Sequence, residues 1–176
     1  MKRRDLEHVI RAAADIADDD EIVVIGSQAI LGQYPDAPPE LCVSVEADVY
    51  PKNKPGRADL IDGSIGEGSP FHETYGYYAQ GVGETTALLP SGWRDRLVPV
   101  KNENTRGATG WCLEAHDLVL SKYAAGREKD DRFVRAALAA RLVKAETLLE
   151  RLGAMPVDAD AQERIRRRIL GDAQAA

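Results

Sequence analysis

Two carboxylates stand two positions apart in the stretch 43–50, VSVEADVY. The β-branched and aromatic residues predict a strand, in which side chains two positions apart point to the same face. Glu46 and Asp48 should therefore lie side by side, where their like charges repel. A divalent cation would remove this repulsion, because adjacent carboxylates are the hard oxygen ligands of a Mg²⁺ ion that also holds substrate phosphates.

Three other interpretations of the two acids stay open on this stretch alone. They are ordinary surface charges if the strand face is simply exposed to water. A glycosidase-type acid and base would flank a bond from opposite sides instead of sharing one strand. A calcium site would need more ligands, supplied by a loop.

The preceding stretch 23–31, VVIGSQAIL, predicts a buried strand that ends at Gly26 and Ser27 and turns directly into a helix. Backbone N–H groups at a helix start favour an anion, although a purely structural turn has the same residues. Neither the lysine of a P-loop nor a GxGxxG pattern is present. A phosphate cradle followed by an acidic pair on the neighbouring strand predicts phosphoryl or nucleotidyl transfer.

The elements that position these residues follow from periodicity and turn signals. Apolar residues at helical spacing predict a first helix over 4–17, and three aspartates, 18–20, predict a solvated turn after it. Strands are predicted in EIVVIG, VSVEADVY, FHETYGYYAQGV, ETTALLP and, as an edge strand because of its proline, LVPV. A short helix is predicted in ADLIDGSIG, and three helical segments in LEAHDLVLSKYAAG, KDDRFVRAALAARLVKAETLLERLG and DADAQERIRRRIL.

This order predicts an α+β fold with a core over 1–112 and a helical region over 113–176, packed together as one compact unit. The 176 residues carry a net charge of -6, which argues against a broad surface for nucleic-acid phosphates. Two cysteines far apart support neither a disulfide framework nor a thiolate zinc site. We expect a cytoplasmic protein, because no signal peptide or membrane span is visible in the sequence.

The segment Ile25-Gly26-Ser27 followed by Glu46-Ala47-Asp48 resembles the turn and acidic strand of the polymerase-β-like nucleotidyltransferase superfamily. The stretch 116–130, HDLVLSKYAAGREKD, is similar to the lysine helix and the following arginine and aspartate of its AbiEii-like branch. That branch includes toxins of bacterial toxin–antitoxin systems. The resemblance covers roughly residues 21–140.

The resemblance implies a small mixed sheet with flanking helices and an enzyme that moves a nucleoside monophosphate from an NTP to a hydroxyl group. The acceptor would be tRNA, a protein or a small molecule, and a toxin would have an antitoxin protein as partner. The implied nucleotide-binding residues are Gly26, Ser27, Lys122 and Arg127, and the implied Mg²⁺ ligands are Glu46 and Asp48. The implied catalytic set is Glu46, Asp48, Lys122 and Asp130.

Lys122 and Asp130 also have simpler interpretations. Lys122 lies among apolar helix residues, so its ammonium must reach either a negative group or solvent. Asp130 has the position of a first-turn charge on the next helix.

The sequence departs from the superfamily pattern in three ways. The first acid is Glu46 instead of aspartate, and the loop from Ser27 to Glu46 covers 19 positions (46 - 27), which is longer than is typical. A third strand carboxylate, the usual base for the incoming hydroxyl, is not evident. Glu84 is the nearest candidate and Asp95 the next. The alternative prediction is therefore a catalytically inactive protein of this fold that binds a nucleotide or a partner protein.

Overall fold

The computed structural model describes residues 1–176, and the chain forms two compact units. The first unit contains Met1–Thr86 and Leu97–Leu113, and the second contains Ala87–Arg96 and Glu114–Ala176. Helices and a five-stranded sheet confirm the predicted α+β class. The predicted packing of 1–112 and 113–176 as one compact unit stays a prediction.

The sheet of the first unit is mixed and open, in the order β3-β2-β1-β5-β4. The strands are β1 (Glu21–Val24), β2 (Glu46–Pro51), β3 (Tyr78–Gly81), β4 (Val98–Val100) and β5 (Thr109–Cys112). The central β1 is antiparallel to β2 and parallel to β5. β2 is parallel to β3, and β4 is antiparallel to β5. The predicted edge position of the proline-containing strand β4 is confirmed.

Four helices belong to the first unit: α1 (Arg3–Ala17), α2 (Ile30–Gln33), α3 (Ala58–Ile65) and α4 (Pro70–Tyr75). The apolar face of α1 is buried through Leu6, Val9, Ile10 and Ala13, as its helical periodicity predicts. This helix packs on the sheet and on α3. The sheet therefore has its core on the face that α1 covers.

The end of α1 corrects one prediction. The turn of three aspartates is not solvated throughout, because Asp19 is buried. Its carboxylate accepts hydrogen bonds from the backbone N–H groups of Asn53 and Lys54, at 2.7 and 3.0 Å. Asp19 thus joins the end of α1 to the loop that follows β2.

One strand prediction is partly right, one is wrong, and one strand was not predicted. The predicted strand FHETYGYYAQGV contains β3, Tyr78–Gly81, but its first residues belong to helix α4. This helix is capped by the hydroxyl of Ser69, and the chain leaves it at Gly76 with φ 75°. ETTALLP contains no strand. The strand β5, which contains Gly110, was not predicted from the sequence.

The second unit consists of a short turn segment and four helices. These are α5 (Ala115–Ala125), α6 (Glu128–Ala139), α7 (Ala145–Leu152) and α8 (Ala159–Ala175). The predicted helix over 129–153 is interrupted after α6, where Arg141 has φ 56°. Asp158 caps α8, because its side chain accepts a hydrogen bond from the backbone N–H of Ala161. None of the helices in the chain combines the length and the apolar composition needed to cross a bilayer.

Buried Asp117 connects parts of this helical unit. Its carboxylate accepts hydrogen bonds from Arg96 at 2.7 Å and from Arg151 at 2.9 Å. The two guanidinium groups compensate the burial of the charge, which would otherwise be costly. Asp117 therefore ties the turn segment and α7 to α5.

Candidate functional site

The turn after β1 lies directly beside the acidic strand β2. The backbone N–H of Ile25 donates to the carbonyl of Asp48 at 3.0 Å, so the pairing of the two strands continues past Val24. Gly26 follows, and Ser27 begins a 3₁₀ turn, Ser27–Ala29, that runs into α2. The strand pairing thus brings the Gly-Ser turn and the second acid together.

The contact between Gly26 and Asp48 is close. A Cβ atom added to Gly26 would lie 1.8 Å from Oδ2 and 2.6 Å from Cγ of Asp48. The backbone at Gly26, with φ -84° and ψ -171°, is one that any residue can adopt. The close approach of the carboxylate, and not the backbone conformation, therefore requires glycine here.

Glu46 and Asp48 share one face of β2, and both are partly exposed. Between and after them, Ala47 and Val49 are completely buried on the opposite face. The predicted side-by-side placement follows from this alternation, with the two Cα atoms about 7 Å apart along the strand.

Glu46 has a hydrogen-bond partner on the neighbouring strand. Its register partner in β3 is Tyr78, whose hydroxyl donates to Glu46 Oε2 at 3.0 Å. The Tyr78 ring is buried and lies against the ring of His72, with centroids 4.6 Å apart. Burial, together with the hydrogen bond to Glu46, raises the pKa of Tyr78 to about 12. The phenol is therefore a protonated donor at neutral pH.

The donor set of the site is compatible with Mg²⁺. Glu46 and Asp48 offer carboxylate oxygens, and no group of three histidine, cysteine or acidic side chains is arranged to hold a metal ion. A cage built entirely from protein ligands, as for structural zinc, is thus absent. Mg²⁺ needs no such cage, because it is commonly bound by one or two carboxylates together with waters and substrate phosphates.

A third carboxylate does not come from β3. The residue paired with Asp48 on that strand is Gln80, an exposed amide that shares the face of the two acids. An amide cannot accept a proton as a general base. Of the two predicted substitutes, Glu84 lies in the turn after β3 and Asp95 lies in the second unit. Their predicted role as base stays a prediction.

Sequence reasoning missed one unusual residue of the turn. Gln28 is completely buried, and neither its amide nitrogen nor its amide oxygen has a hydrogen-bond partner. Buried polar groups are nearly always hydrogen-bonded, so this side chain is exceptional. The signal in the sequence was a single amide inside the otherwise apolar helix start QAIL.

The second unit contains the predicted lysine and aspartate as a buried ion pair. Lys122 Nζ donates to Asp130 Oδ1 at 3.1 Å, and Lys122 and Asp130 are 6% and 1% exposed. The ammonium also lies over the ring of Phe133, 4.6 Å from its centroid. Lys122 therefore does not extend into solvent but reaches a negative group, which was the other expectation.

Arg127 is the second cation on the same carboxylate. Its Nε donates to Asp130 Oδ2 at 2.7 Å. Burial would raise the pKa of Asp130, but the hydrogen bond from Arg127 and the charge of Lys122 outweigh it and hold the pKa below its usual value. Asp130 also lies in the first turn of α6, so the structural interpretation of this residue applies as well.

A comparison with protein families gives one match, whose description is nucleotidyltransferase of unknown function (DUF6036). It covers residues 4–171, and so includes the Gly26 turn, the acidic strand and the Lys122–Asp130 pair. No curated protein and no solved structure matches the chain. The family supports the nucleotidyltransferase superfamily named from the sequence. Because the match spans nearly the whole chain, this protein belongs to the nucleotidyltransferase family of unknown function.

Proposed function

We propose that the protein is a Mg²⁺-dependent nucleotidyltransferase, which transfers a nucleoside monophosphate from an NTP to a hydroxyl acceptor and releases pyrophosphate. The observation that carries the proposal is the contact between Gly26 and the Asp48 carboxylate. This contact supports a site in which the turn would hold a triphosphate and the acid would hold its counter-ion. The first unit would then supply both positioning and charge neutralisation, which phosphoryl transfer requires.

The residues of the first unit divide these tasks. Gly26 and Ser27 would hold the triphosphate, as the resemblance to the polymerase-β-like superfamily implies. Glu46 and Asp48 would hold Mg²⁺, which when bound neutralises charge on the phosphates. The half-exposed face of β2 would leave both carboxylates accessible to this ligand.

The resemblance implies further roles for three residues of the second unit. Lys122 and Arg127 would contact the nucleotide, while Asp130 would orient the lysine. Both cations bind the Asp130 carboxylate, so the three side chains form one cluster.

The acceptor and the biological role rest on the resemblance of 116–130 to the AbiEii-like branch. We propose a toxin of a toxin–antitoxin system, with a hydroxyl of tRNA or of a protein as acceptor and an antitoxin protein as partner. A second candidate is a catalytically inactive protein that binds a nucleotide or a partner protein. It is favoured by Gln80, which stands beside Asp48 where a carboxylate base would be useful.

Assays of binding and turnover distinguish these candidates. The purified protein is titrated with each of the four NTPs, with and without Mg²⁺, and pyrophosphate release is measured with tRNA, protein and small-molecule acceptors. Pyrophosphate release supports the transferase. Metal-dependent binding without turnover supports the inactive nucleotide-binding protein, and the absence of metal-dependent binding contradicts both the transferase and a nucleotide-binding protein.

The substitution Asp48→Ala tests the assigned site directly. We expect it to abolish Mg²⁺-dependent NTP binding, because a metal ligand is lost. The fold should survive, since the repulsion from Glu46 is relieved. Asp36→Ala, in an exposed loop of the same unit, is the matched control and should bind like the parent. Equal Mg-NTP affinity of Asp48→Ala and the parent would show that the site is assigned wrongly.

A further inference from the structure

Glu46 stands where the superfamily that the sequence resembles has aspartate, and it accepts a hydrogen bond from Tyr78. Glutamate has one more methylene group than aspartate, so its carboxylate samples more rotamers before it can serve as a ligand. In this structure the Tyr78 hydroxyl holds Oε2 at 3.0 Å and leaves Oε1 for a ligand. The longer side chain is thereby confined to one position above the strand.

Tyr78 is well placed to confine Glu46 because it is itself fixed. Its side chain is 9% exposed, and its ring lies against His72 of helix α4. The imidazole is fixed in turn, since its Nδ1 accepts a hydrogen bond from the backbone N–H of Gly68 at 3.0 Å. The parallel pairing of β2 and β3 keeps Tyr78 and Glu46 in register. A continuous set of contacts thus runs from the loop before α4 to the carboxylate.

We propose that Tyr78 is a positioning residue that orients the Glu46 carboxylate for binding a divalent cation, an inference that rests on the proposed function. Partners that orient metal ligands typically contribute a factor of about 10–100 to metal affinity. Tyr78 would act on the cation through Glu46 and would not touch the nucleotide. Loss of the Tyr78 hydroxyl should therefore lower the affinity for the cation. The nucleotide affinity at saturating metal concentration should stay unchanged.

The test uses Mn²⁺ alone as a probe, with free Mn²⁺ measured by electron paramagnetic resonance and no nucleotide present. Tyr78→Phe removes only the hydroxyl, and we expect an affinity about tenfold weaker than that of the parent. Tyr75→Phe is the matched control, because it removes the hydroxyl of a half-exposed tyrosine outside the site. In the transferase assay, high Mg²⁺ should restore the rate of Tyr78→Phe, which a general structural defect would not allow.

The substitution Glu46→Asp provides a second measurement. Its shorter carboxylate does not need the phenol to confine it, so we expect Tyr78→Phe to weaken Mn²⁺ binding in the parent but not in the Glu46→Asp background. Should Tyr78→Phe not fold, His72→Ala, which removes the ring against which Tyr78 lies, should weaken Mn²⁺ binding in the same way. Parent-like Mn²⁺ affinity of Tyr78→Phe, or an equal loss in both backgrounds, overturns the positioning role and leaves the proposed function intact. A parent protein that binds Mn²⁺ neither alone nor in the presence of an NTP overturns both.

Discussion

The contact between Gly26 and Asp48 makes Gly26→Ala the most informative substitution in the chain. The new methyl group would lie 1.8 Å from Oδ2, 2.6 Å from Cγ and 2.9 Å from Cβ of Asp48. A change of rotamer can move the first two atoms but not the third, which is fixed to the backbone. The strand or the turn must therefore shift, and the carboxylate must leave its position.

The expected change in the free energy of unfolding of Gly26→Ala follows from two opposing effects. Overpacking of a close contact costs about 1–3 kcal/mol. Replacing glycine by alanine in a backbone conformation that alanine tolerates returns about 0.4–1 kcal/mol, because the unfolded chain loses freedom. We therefore expect Gly26→Ala to lower the free energy of unfolding by about 1–2 kcal/mol. Gly63→Ala, in the middle of α3 with open space around it, should raise this free energy by about 0.5–1 kcal/mol.

Urea denaturation of both variants measures this difference, and a double-mutant cycle identifies its cause. In the Asp48→Ala background the two closest atoms are gone, so the cost of Gly26→Ala should fall by about 1 kcal/mol or more. Mn²⁺ binding of Gly26→Ala, measured in parallel, should be lost with the displaced carboxylate. If the costs of the two substitutions simply add, or if Gly26→Ala binds Mn²⁺ normally, the turn and the acid do not form one site.

Two further predictions concern the interior of each unit. Gln28→Met should raise the free energy of unfolding by about 1–2 kcal/mol, since it removes two buried amide atoms that have no partner. If denaturation curves instead show a lower free energy of unfolding, the Gln28 amide has hydrogen-bond partners in the protein. Asp130→Asn should cost about 3 kcal/mol near neutral pH, because Lys122 is left buried beside a neutral partner. The pKa of Asp130 is lowered in the folded state, so its contribution is present above the ordinary value of 3.8 and lost as the pH falls below it. Denaturation curves of parent and variant should therefore converge in acid, and a constant difference down to pH 2 would contradict this pairing.

Periodicity and spacing were sufficient to predict the elements that carry the candidate site. The apolar stripe of α1 and the apolar runs of β1 and β2 are visible within short stretches of sequence. The alternation in β2 puts both acids on one face. The strand β5 was missed because Gly110 interrupts its pattern. That glycine is required by packing, since a Cβ there would lie 2.3 Å from Cδ1 of Ile10 in α1. A contact between residues so far apart in sequence leaves no local signal.

Helix α4 was predicted as a strand for a different reason. Its signals were present, with Ser69 as cap, Pro70 in the first turn and Gly76 at the end, but the aromatic residues between them favoured a strand. The role of Tyr78 depends on the parallel register of β2 and β3, which the sequence of either strand does not specify. The acids of the candidate site were therefore predictable, whereas the hydroxyl that donates to one of them was not.

The alternation of β2 also protects the chain against mispairing. A shift of one residue against β1 would turn Ala47 and Val49 towards water and drive both carboxylates into the apolar interior. Burying two unpaired charges is far more costly than losing two small apolar contacts. Glu46 and Asp48 repel each other in the correctly folded sheet. The same two charges disfavour the alignment in which β2 is shifted by one residue against β1.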